Sequence, residues 1–319
     1  MDFFLAVDGG GSKTVFALHD ASGALLALLE AGPSAYCDLG VPEAARVLLE
    51  GARDLFARAG ASPKDLRAAA FCLASVGENA GEDRALARLI GTLCERTRVV
   101  NDSVGALYAA HAGKPGIALV SGTGSIACGM GEDGEIARCG GYSPSFSDEG
   151  SSYRIALEAM GVYCKQDDGR LPRGPLHALF GRELGVDSAF SLMDWEARNR
   201  ASGRKGIALL QPLAARAARE GDQAAAALYA RAAEELAALA LGVRGKLRFA
   251  SASVPVACAG GTFRVGALLT GPLSRALAAG GCALVPPLLS APVKGAAVLS
   301  LKTGNIPISE EILSNLRKN

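Results

Sequence analysis

The sequence of 319 residues has almost no imbalance of charge, since 33 lysines and arginines stand against 32 aspartates and glutamates. A basic surface for nucleic acid or for an anionic membrane is therefore not expected. No apolar run reaches the roughly 18 uncharged residues of a membrane-spanning helix, and the N-terminus lacks a basic region followed by a small-residue cleavage site. We expect a cytoplasmic protein with a small-molecule partner, no nucleic acid and no membrane.

Cysteine is present, but without the spacing of a metal site. The eight cysteines are dispersed, no C-x-x-C pair occurs, and the chain has only three histidines. This dispersion is typical of buried free thiols. Apolar residues make up 50% of the chain, which is enough for a substantial core, and the length allows two medium domains.

The most informative segment is FFLAVDGGGSKTVF at residues 3–16, in which a glycine-rich turn joins two apolar runs. Glycines can take positive φ and let backbone N–H groups approach an anion, and hydroxyl and ammonium groups add donors. The phosphate-binding residues predicted here are Gly10, Gly11, Ser12, Lys13 and Thr14. Asp8, directly before the turn, is predicted to organise Mg²⁺. The alternative is a plain hairpin turn.

Two other phosphate loops are excluded by the same segment. A P-loop needs glycines where Val7 and Ser12 stand, and a Rossmann turn leads into a helix, whereas strand-like TVFAL follows here.

The pattern of the first 112 residues predicts the start of an α/β domain. After the segment at 3–16 we predict a strand at 23–30, helix 42–59, strand 66–73, helix 83–96, strand 98–100 and helix 103–112. Glycine and proline at 113–116 mark a boundary, after which strand 117–120 and another glycine-rich turn repeat the opening pattern. The repeat suggests a duplicated fold whose halves face each other across a nucleotide cleft.

The second half has three further predicted features. An alanine-rich helical block covers about 206–243, broken near Gly221, and packs on the sheet or on a second subunit. Strand 254–259 leads into a turn at Gly260 and Gly261, a junction of the kind that accepts a ligand. A C-terminal helix begins at Ser309 and packs on a domain surface. The predicted domains are 1–114, 115–303 with the helical insertion, and 304–319.

Two further segments have the composition of a site. SGTGS follows the strand at 117–120, and its residues Gly122, Thr123, Gly124 and Ser125 are predicted to clamp phosphates, with a plain hairpin as the alternative. Asp102 stands where a strand ends and a helix begins, and is either a helix cap or the general base of a phosphoryl transfer. In the polar loop at 140–156, Asp148 either accepts hydrogen bonds from sugar hydroxyls or caps the next helix.

These motifs together resemble the signature of the BadF/BadG/BcrA/BcrD ATPase family, and within it the N-acetylglucosamine kinase-like branch. The matching segments, in order, are DGGGSKT (8–14), NDSVGAL (101–107), SGTGS (121–125), GGYSPSFSDEGSSY (140–153), GG (260–261) and PVKGAAVL (292–299). The resemblance covers nearly the whole chain.

The resemblance implies two ribonuclease-H-like domains of the actin-like ATPase type, hinged across a nucleotide and sugar cleft. It implies a homodimeric kinase that uses ATP and Mg²⁺ to phosphorylate the 6-hydroxyl of an amino sugar, N-acetylglucosamine or a related hexosamine. Asp102 matches the base and Asp8 the magnesium-organising aspartate. Gly141, Tyr142 and Asp148 match the sugar-contacting stretch, and Gly260 with Gly261 the turn against adenosine.

The departures from the family pattern fall on the sugar side. Ala35 replaces an asparagine of the family segment, Ser143 and Ser147 replace glycines, and Arg154 replaces an aromatic residue. These changes alter the shape and charge of the sugar pocket and leave the phosphate-binding turns intact.

The same family contains a rival function, an ATPase that activates a reductase or dehydratase through an iron–sulfur cluster shared by two subunits. That function requires cysteines arranged to bind the cluster. Cys128 and Cys139 lie on either side of a turn and are the candidate cluster ligands. A nucleotide-binding, sugar-responsive regulator is a second rival. Kinases of the ROK type are disfavoured because their cysteine-rich zinc motif is missing.

Overall fold

The structure, a computed structural model, describes residues 2–318. Met1 and Asn319, the outer ends of the predicted domain ranges, lie outside the described residues. The chain divides into two compact units, the first formed by Met1–Gly116 with Pro286–Asn319 and the second by Ile117–Val285. The first division falls within two residues of the predicted boundary. Residues 286–303, which the sequence analysis assigned to the second domain, group instead with the first unit.

The first unit is built on a five-stranded mixed sheet in the order β3-β2-β1-β4-β5. Its strands are β1 (Phe3–Gly9), β2 (Thr14–His19), β3 (Leu25–Ala31), β4 (Leu66–Leu73) and β5 (Thr97–Asn101). Its helices begin with α1 (Tyr36–Leu39), α2 (Val41–Ala59), α3 (Ala80–Ile90) and α4 (Asp102–His111), with a 3-10 turn at Pro63–Asp65. β1 pairs antiparallel with β2 and parallel with β4, and β4 pairs parallel with β5.

The second unit repeats this sheet. Read from the edge that corresponds to β3, its order is β8-β7-β6-β9-β10. Its strands are β6 (Gly116–Ser121), β7 (Ser125–Met130), β8 (Ile136–Gly140), β9 (Val254–Ala259) and β10 (Cys282–Val285). Its helices are α5 (Ser152–Asp167), α6 (Pro175–Leu184), α7 (Ala189–Asn199), α8 (Gly203–Ala208), α9 (Gln211–Arg219), α10 (Gln223–Lys246) and α11 (Ala267–Ala279), with 3-10 turns at Arg200–Ser202 and Gly261–Val265. The identical strand order in both sheets agrees with the duplicated α/β fold expected from the sequence.

Two C-terminal helices, α12 (Pro292–Thr303) and α13 (Glu310–Lys318), complete the first unit. A Cβ atom on Gly295 would lie 1.9 Å from the carbonyl oxygen of Gly105, so the backbones of α12 and α4 are in direct contact. Glycine permits this approach because it has no side chain. The close packing of α12 on α4 is the physical reason why 286–303 belongs with the first unit.

The ends of two predicted helices can be compared with the structure. α3 covers 80–90 rather than 83–96, because the Asn79 side chain accepts hydrogen bonds from the amides of Gly81 and Glu82 and starts the helix early. The predicted start of the last helix is confirmed, since Ser309 Oγ accepts a hydrogen bond from the Ile312 amide. α13 packs on the β2–β3 turn, where the Asn315 side chain donates to the carbonyl of Ser22.

The core of the first unit lies between its sheet and α2, and the core of the second includes α5, α9 and α10. Within residues 2–318, no helix is long and apolar enough to cross a bilayer.

Candidate active site

The carboxyl ends of β1, β4 and β5 meet at one edge of the first sheet. In the register, Gly9 is opposite Leu73, and Leu73 is opposite Asn101. Asp8 in β1 and Asp102 directly after β5 are therefore brought to the same edge, about two strand spacings or roughly 10 Å apart. The topology places together the two carboxylates that the sequence predicted as metal organiser and base.

Asp8 has an unusual electrostatic environment. Burial of its carboxylate, with a smaller contribution from the negative charge of Asp102, raises its pKa from 3.8 to about 7, and Lys13 opposes the rise. Burial penalises the charged form, and a neighbouring like charge does the same. The folded chain therefore holds a carboxylate pair at this edge that a cation would stabilise.

Helix capping does not account for Asp102. The N-cap of α4 is Asn101, whose Oδ1 accepts hydrogen bonds from the amide of Ser103 at 3.1 Å and from its hydroxyl at 2.6 Å. The Asn101 amide group also donates to the carbonyl of Val76 at 2.8 Å, which ties the β4–α3 loop to the same edge. The sequence analysis offered two roles for Asp102, helix cap and general base. The structure assigns the cap to Asn101.

The first glycine-rich turn is closed by a hydrogen bond from the Gly10 amide to the Lys13 carbonyl, 3.0 Å long. None of Gly9, Gly10 and Gly11 has positive φ, so backbone conformation does not require glycine in this turn. Space is the reason at Gly9, where a Cβ would lie 2.3 Å from Ser34 Oγ and 2.6 Å from a Leu73 methyl. Gly9 was missed by the sequence analysis.

The two polar ends of this turn have different surroundings. Thr14 is 0% exposed, and its hydroxyl lies 2.8 Å from both the Gly32 carbonyl and Ser34 Oγ, so it anchors the turn on the following loop. Lys13 is exposed and forms an ion pair with Glu30 at 2.6 Å. An exposed pair of this kind is weak, about 0–1 kcal/mol, so the lysine is readily available to a phosphate. Direct phosphate contacts of both residues stay predictions.

Ser75, after β4, was also missed. It is buried with φ of +71°, a conformation uncommon for a residue other than glycine. Its carbonyl accepts the Tyr36 hydroxyl at 2.6 Å, and its own hydroxyl lies 2.8 Å from Cys37 Sγ. Strained backbone is characteristic of functional sites, and this residue follows the strand between those of Asp8 and Asp102. Sequence alone gives no signal for it, because serine is common in turns.

In the second unit, the turn Ser121–Ser125 is held by the polar segment before α5. The Ser121 hydroxyl donates to the Gly150 carbonyl at 3.0 Å, and the Ser125 hydroxyl donates to the Glu149 carbonyl at 2.7 Å. The Gly122 carbonyl accepts the Ser152 amide at 2.8 Å. The SGTGS and DEGSS motifs therefore form one structural element, in which the Ser125 hydroxyl supports the turn.

Asp148 connects the same two motifs through its side chain. Its Oδ1 accepts the Ser125 amide at 3.1 Å, and a Cβ on Gly124 would lie 2.8 Å from that oxygen. Its Oδ2 forms an ion pair with Arg204 at 3.1 Å. Asp148 does not cap α5, because Ser151 is the N-cap. Its predicted contact with a sugar stays a prediction.

The loop between β8 and α5 exposes aromatic side chains. Tyr142 is 61% exposed, and the Arg138 guanidinium lies 5.9 Å above its ring. Gly141, with φ of +68°, lets the chain turn directly before Tyr142. Two of the departures from the family pattern contact each other, since Arg154 Nη2 donates to the Ser147 carbonyl at 3.1 Å.

A cavity of about 840 Å³ opens beside this turn within the second unit. It brings together the predicted residues Gly122, Thr123 and Gly261. The missed part of its lining comes mainly from α8 and α9, and the cations among the lining residues are Lys205, Arg219 and Arg264. Residues 206–219 of this wall belong to the alanine-rich block at about 206–243, which the sequence analysis assigned to packing. The signal that could have found them is RASGRKG, two glycines and three basic residues before the alanine-rich run.

The backbone conformation and the close packing at position 260 both require a glycine. Its φ is +107°, and a Cβ would lie 2.1 Å from the Ser121 carbonyl oxygen. The β9 turn and the SGTGS turn are therefore in backbone contact, which only glycine allows. Thr262 strengthens the same contact, because its hydroxyl donates to the Gly122 carbonyl at 3.3 Å.

Cys128 and Cys139 do not form a pair. Cys139 is opposite Ala127 in the β7–β8 register, and Cys128 is opposite Arg138. Since successive residues of a strand point to opposite faces, the two thiols lie on opposite faces of the sheet. The cysteine pair considered for a cluster is thus not brought together within one chain.

The residues of the first unit fit a magnesium ion. Mg²⁺ is usually held by one or two carboxylates together with waters and substrate phosphates. Asp8 meets that requirement, because its carboxylate is largely buried and stands near the negative charge of Asp102.

Two sheets of the same strand order, each with a glycine-rich turn after its first strand, define the α/β fold of the actin-like ATPases. The chain belongs to the BadF/BadG/BcrA/BcrD ATPase family, whose model matches residues 5–300.

Three relatives illustrate the similarity. The chain is 30% identical over 240 residues to an N-acetylmuramic acid/N-acetylglucosamine kinase of Clostridium acetobutylicum, a match covering 74% of this chain and 77% of the relative. It is 27% identical over 233 residues to an N-acetyl-D-glucosamine kinase of Dictyostelium discoideum, covering 70% and 73%. A solved structure from Chromobacterium violaceum, with the provisional name N-acetylglucosamine kinase, is similar with a TM-score of 0.72 and 27% identity, covering 94% and 99%.

Proposed function

We propose that the protein is an ATP-dependent kinase that phosphorylates the 6-hydroxyl of an N-acetylated hexosamine. The observation that carries this proposal is the pair Asp8 and Asp102 at one sheet edge, in a family member whose curated relatives are named as hexosamine kinases. A phosphoryl transfer to an alcohol needs a carboxylate base and a means of stabilising phosphate charge.

Asp102 is the proposed base. It takes the proton of the 6-hydroxyl as the sugar oxygen forms a bond to the γ-phosphorus, and the bond between that phosphorus and the β–γ bridging oxygen breaks to release ADP. When bound, Mg²⁺ neutralises phosphate charge, and Asp8 is the residue that would hold it.

The amides and hydroxyls of the two glycine-rich turns are the proposed phosphate contacts. They are Gly10, Gly11, Ser12, Lys13 and Thr14 in the first unit and Gly122, Thr123, Gly124 and Ser125 in the second. The cavity next to Gly122 is proposed to hold the nucleoside, against Gly260 and Gly261. Its volume of about 840 Å³ is in the range of small-molecule sites, and its charged lining residues are all basic.

The sugar side is proposed to include Gly141, Tyr142 and Asp148. By their names, the two curated relatives act on N-acetylglucosamine, and the one from Clostridium acetobutylicum acts also on N-acetylmuramic acid. A hinged movement of the two domains, a homodimer and a cytoplasmic location stay predictions. Light scattering coupled to gel filtration tests the dimer.

The test is ADP release with ATP and magnesium over N-acetylglucosamine, glucosamine, N-acetylmannosamine, N-acetylmuramic acid and glucose. Turnover is expected on an N-acetylated hexosamine and not on glucose. If the protein binds ATP but turns over none of these sugars, the proposal is contradicted and the activator or regulator function is favoured. Iron and sulfide analysis then separates those two.

A further inference from the structure

The ion pair between Asp148 and Arg204 has no role in the function proposed so far. The Asp148 side chain is only 5% exposed, and its backbone has φ of +65°. Its two carboxylate oxygens are used on different sides, Oδ1 by the Ser125 amide and Oδ2 by Arg204. A buried carboxylate with two contacts in two directions fixes the positions of both groups that contact it.

Arg204 belongs to α8, which forms part of the wall of the cavity. Its neighbours in sequence, Lys205 and Gly206, line the cavity, as do Gly122 and Thr123 of the SGTGS turn. The Arg204 side chain itself is 48% exposed. The pair thus connects two separate parts of one cavity wall, a helix and a turn that are 80 residues apart in the chain.

The physical chemistry of the pair makes the connection significant. An ionised carboxylate in a buried position is destabilised unless it is both paired and hydrogen-bonded. With Arg204 present, Asp148 meets both conditions while it accepts the Ser125 amide. Without Arg204, the carboxylate keeps one hydrogen bond and no cation, which favours movement of Asp148 toward water and loss of its contact with the turn.

We propose that Arg204 is a positioning residue for the nucleotide, which acts through Asp148 to hold the SGTGS turn and the α8 wall in their binding arrangement. The proposal rests on the proposed function only in taking this cavity as the nucleotide site. It assigns no contact between Arg204 and the phosphates, and it leaves the remaining lone pairs of Asp148 available to a sugar hydroxyl.

The test measures the affinity of a non-hydrolysable ATP analogue by calorimetry, with magnesium and without sugar. We expect Arg204→Met to weaken binding about tenfold, equivalent to about 1.4 kcal/mol, and to raise the KM for ATP. Arg204→Lys keeps the charge and is expected to restore most of the loss. Arg216→Met is the matched control, because Arg216 is similarly exposed and pairs with Glu220 on the surface.

A second background separates positioning from direct contact. Asp148→Asn keeps an acceptor for the Ser125 amide, tolerates positive φ and removes the charge that Arg204 compensates. In that background we expect Arg204→Met to change the affinity by less than twofold. Melting temperatures of all variants, measured in parallel, identify any that fail to fold.

Three results would overturn the proposal. They are an unchanged affinity in Arg204→Met, a rise in the sugar KM alone, and an equal tenfold loss in the Asp148→Asn background, which would mean that Arg204 touches the nucleotide directly. Absence of sugar turnover by the wild type would contradict the proposed function, whereas the analogue affinities still decide the role of Arg204.

Discussion

Replacing Asp8 by asparagine should stabilise the metal-free protein, by an amount that grows with pH. The side chains have the same shape, but the asparagine needs no charge in a buried position. The pKa of Asp8 is raised from 3.8 to about 7 on folding. The folded protein therefore favours the protonated form of Asp8. The contribution of Asp8 to the free energy of unfolding is fully present below pH 4 and is lost as the pH rises to about 7, at about 1.4 kcal/mol per pH unit.

Over this range the loss reaches about 4 kcal/mol at most, and about 2 kcal/mol if the folded protein relaxes around the charge. We expect Asp8→Asn and the wild type to be equally stable at pH 4 and to differ by about 2–4 kcal/mol at pH 8.

Urea unfolding in EDTA at pH 4, 5, 6, 7 and 8 measures this difference. Asp54→Asn, which removes an exposed carboxylate of α2, controls for the change in net charge. Addition of magnesium at pH 8 should stabilise the wild type and leave Asp8→Asn unchanged. A stability difference between the two proteins that is constant with pH would refute the reasoning, because it would mean that Asp8 titrates normally in the folded chain.

Three further substitutions test the geometry of the site. Gly260→Ala should cost about 1–3 kcal/mol in denaturant unfolding and raise the KM for ATP, because its Cβ would collide with Ser121; Gly261→Ala, with open space around the Cβ, is the control, and equal losses would contradict the steric argument. Asn101→Ala should cost about 1 kcal/mol of stability through loss of the α4 cap and lower kcat by disturbing Asp102, and an unchanged kcat would separate the cap from the base. Lys205→Met should raise the KM for ATP and not for sugar, and the reverse would move this lysine to the sugar side.

The fold was accessible from sequence because its signals are local and repeated. Each glycine-rich turn stands between two apolar runs, and the alternation of strands and helices after it predicts an α/β domain. The two sheets with the same strand order confirm that prediction. The assignment of residues 286–303 was not accessible, because it depends on the contact between Gly105 and Gly295, two glycines 190 positions apart.

In the site, too, some features follow from local sequence signals and others depend on contacts between distant residues. Asp8 lies near the end of one predicted strand and Asp102 directly after another, and parallel strands end at a common edge, so their proximity is a consequence of topology. The roles of Ser75 and Arg204 depend on backbone strain and on a contact between distant segments. No pattern of residue types specifies such contacts. In the first glycine triplet no residue has positive φ, and Gly9 is required by close packing against Ser34 and Leu73, which sequence does not reveal.

The most direct test of the account is identification of the phosphorylated product by phosphorus–proton NMR, with wild type beside Asp102→Asn, using N-acetylglucosamine and N-acetylmuramic acid. The account predicts phosphate on the 6-oxygen with the wild type. Asp102→Asn should give no product above background while binding the ATP analogue with nearly wild-type affinity. Phosphate at another position, or turnover by Asp102→Asn at the wild-type rate, would contradict it.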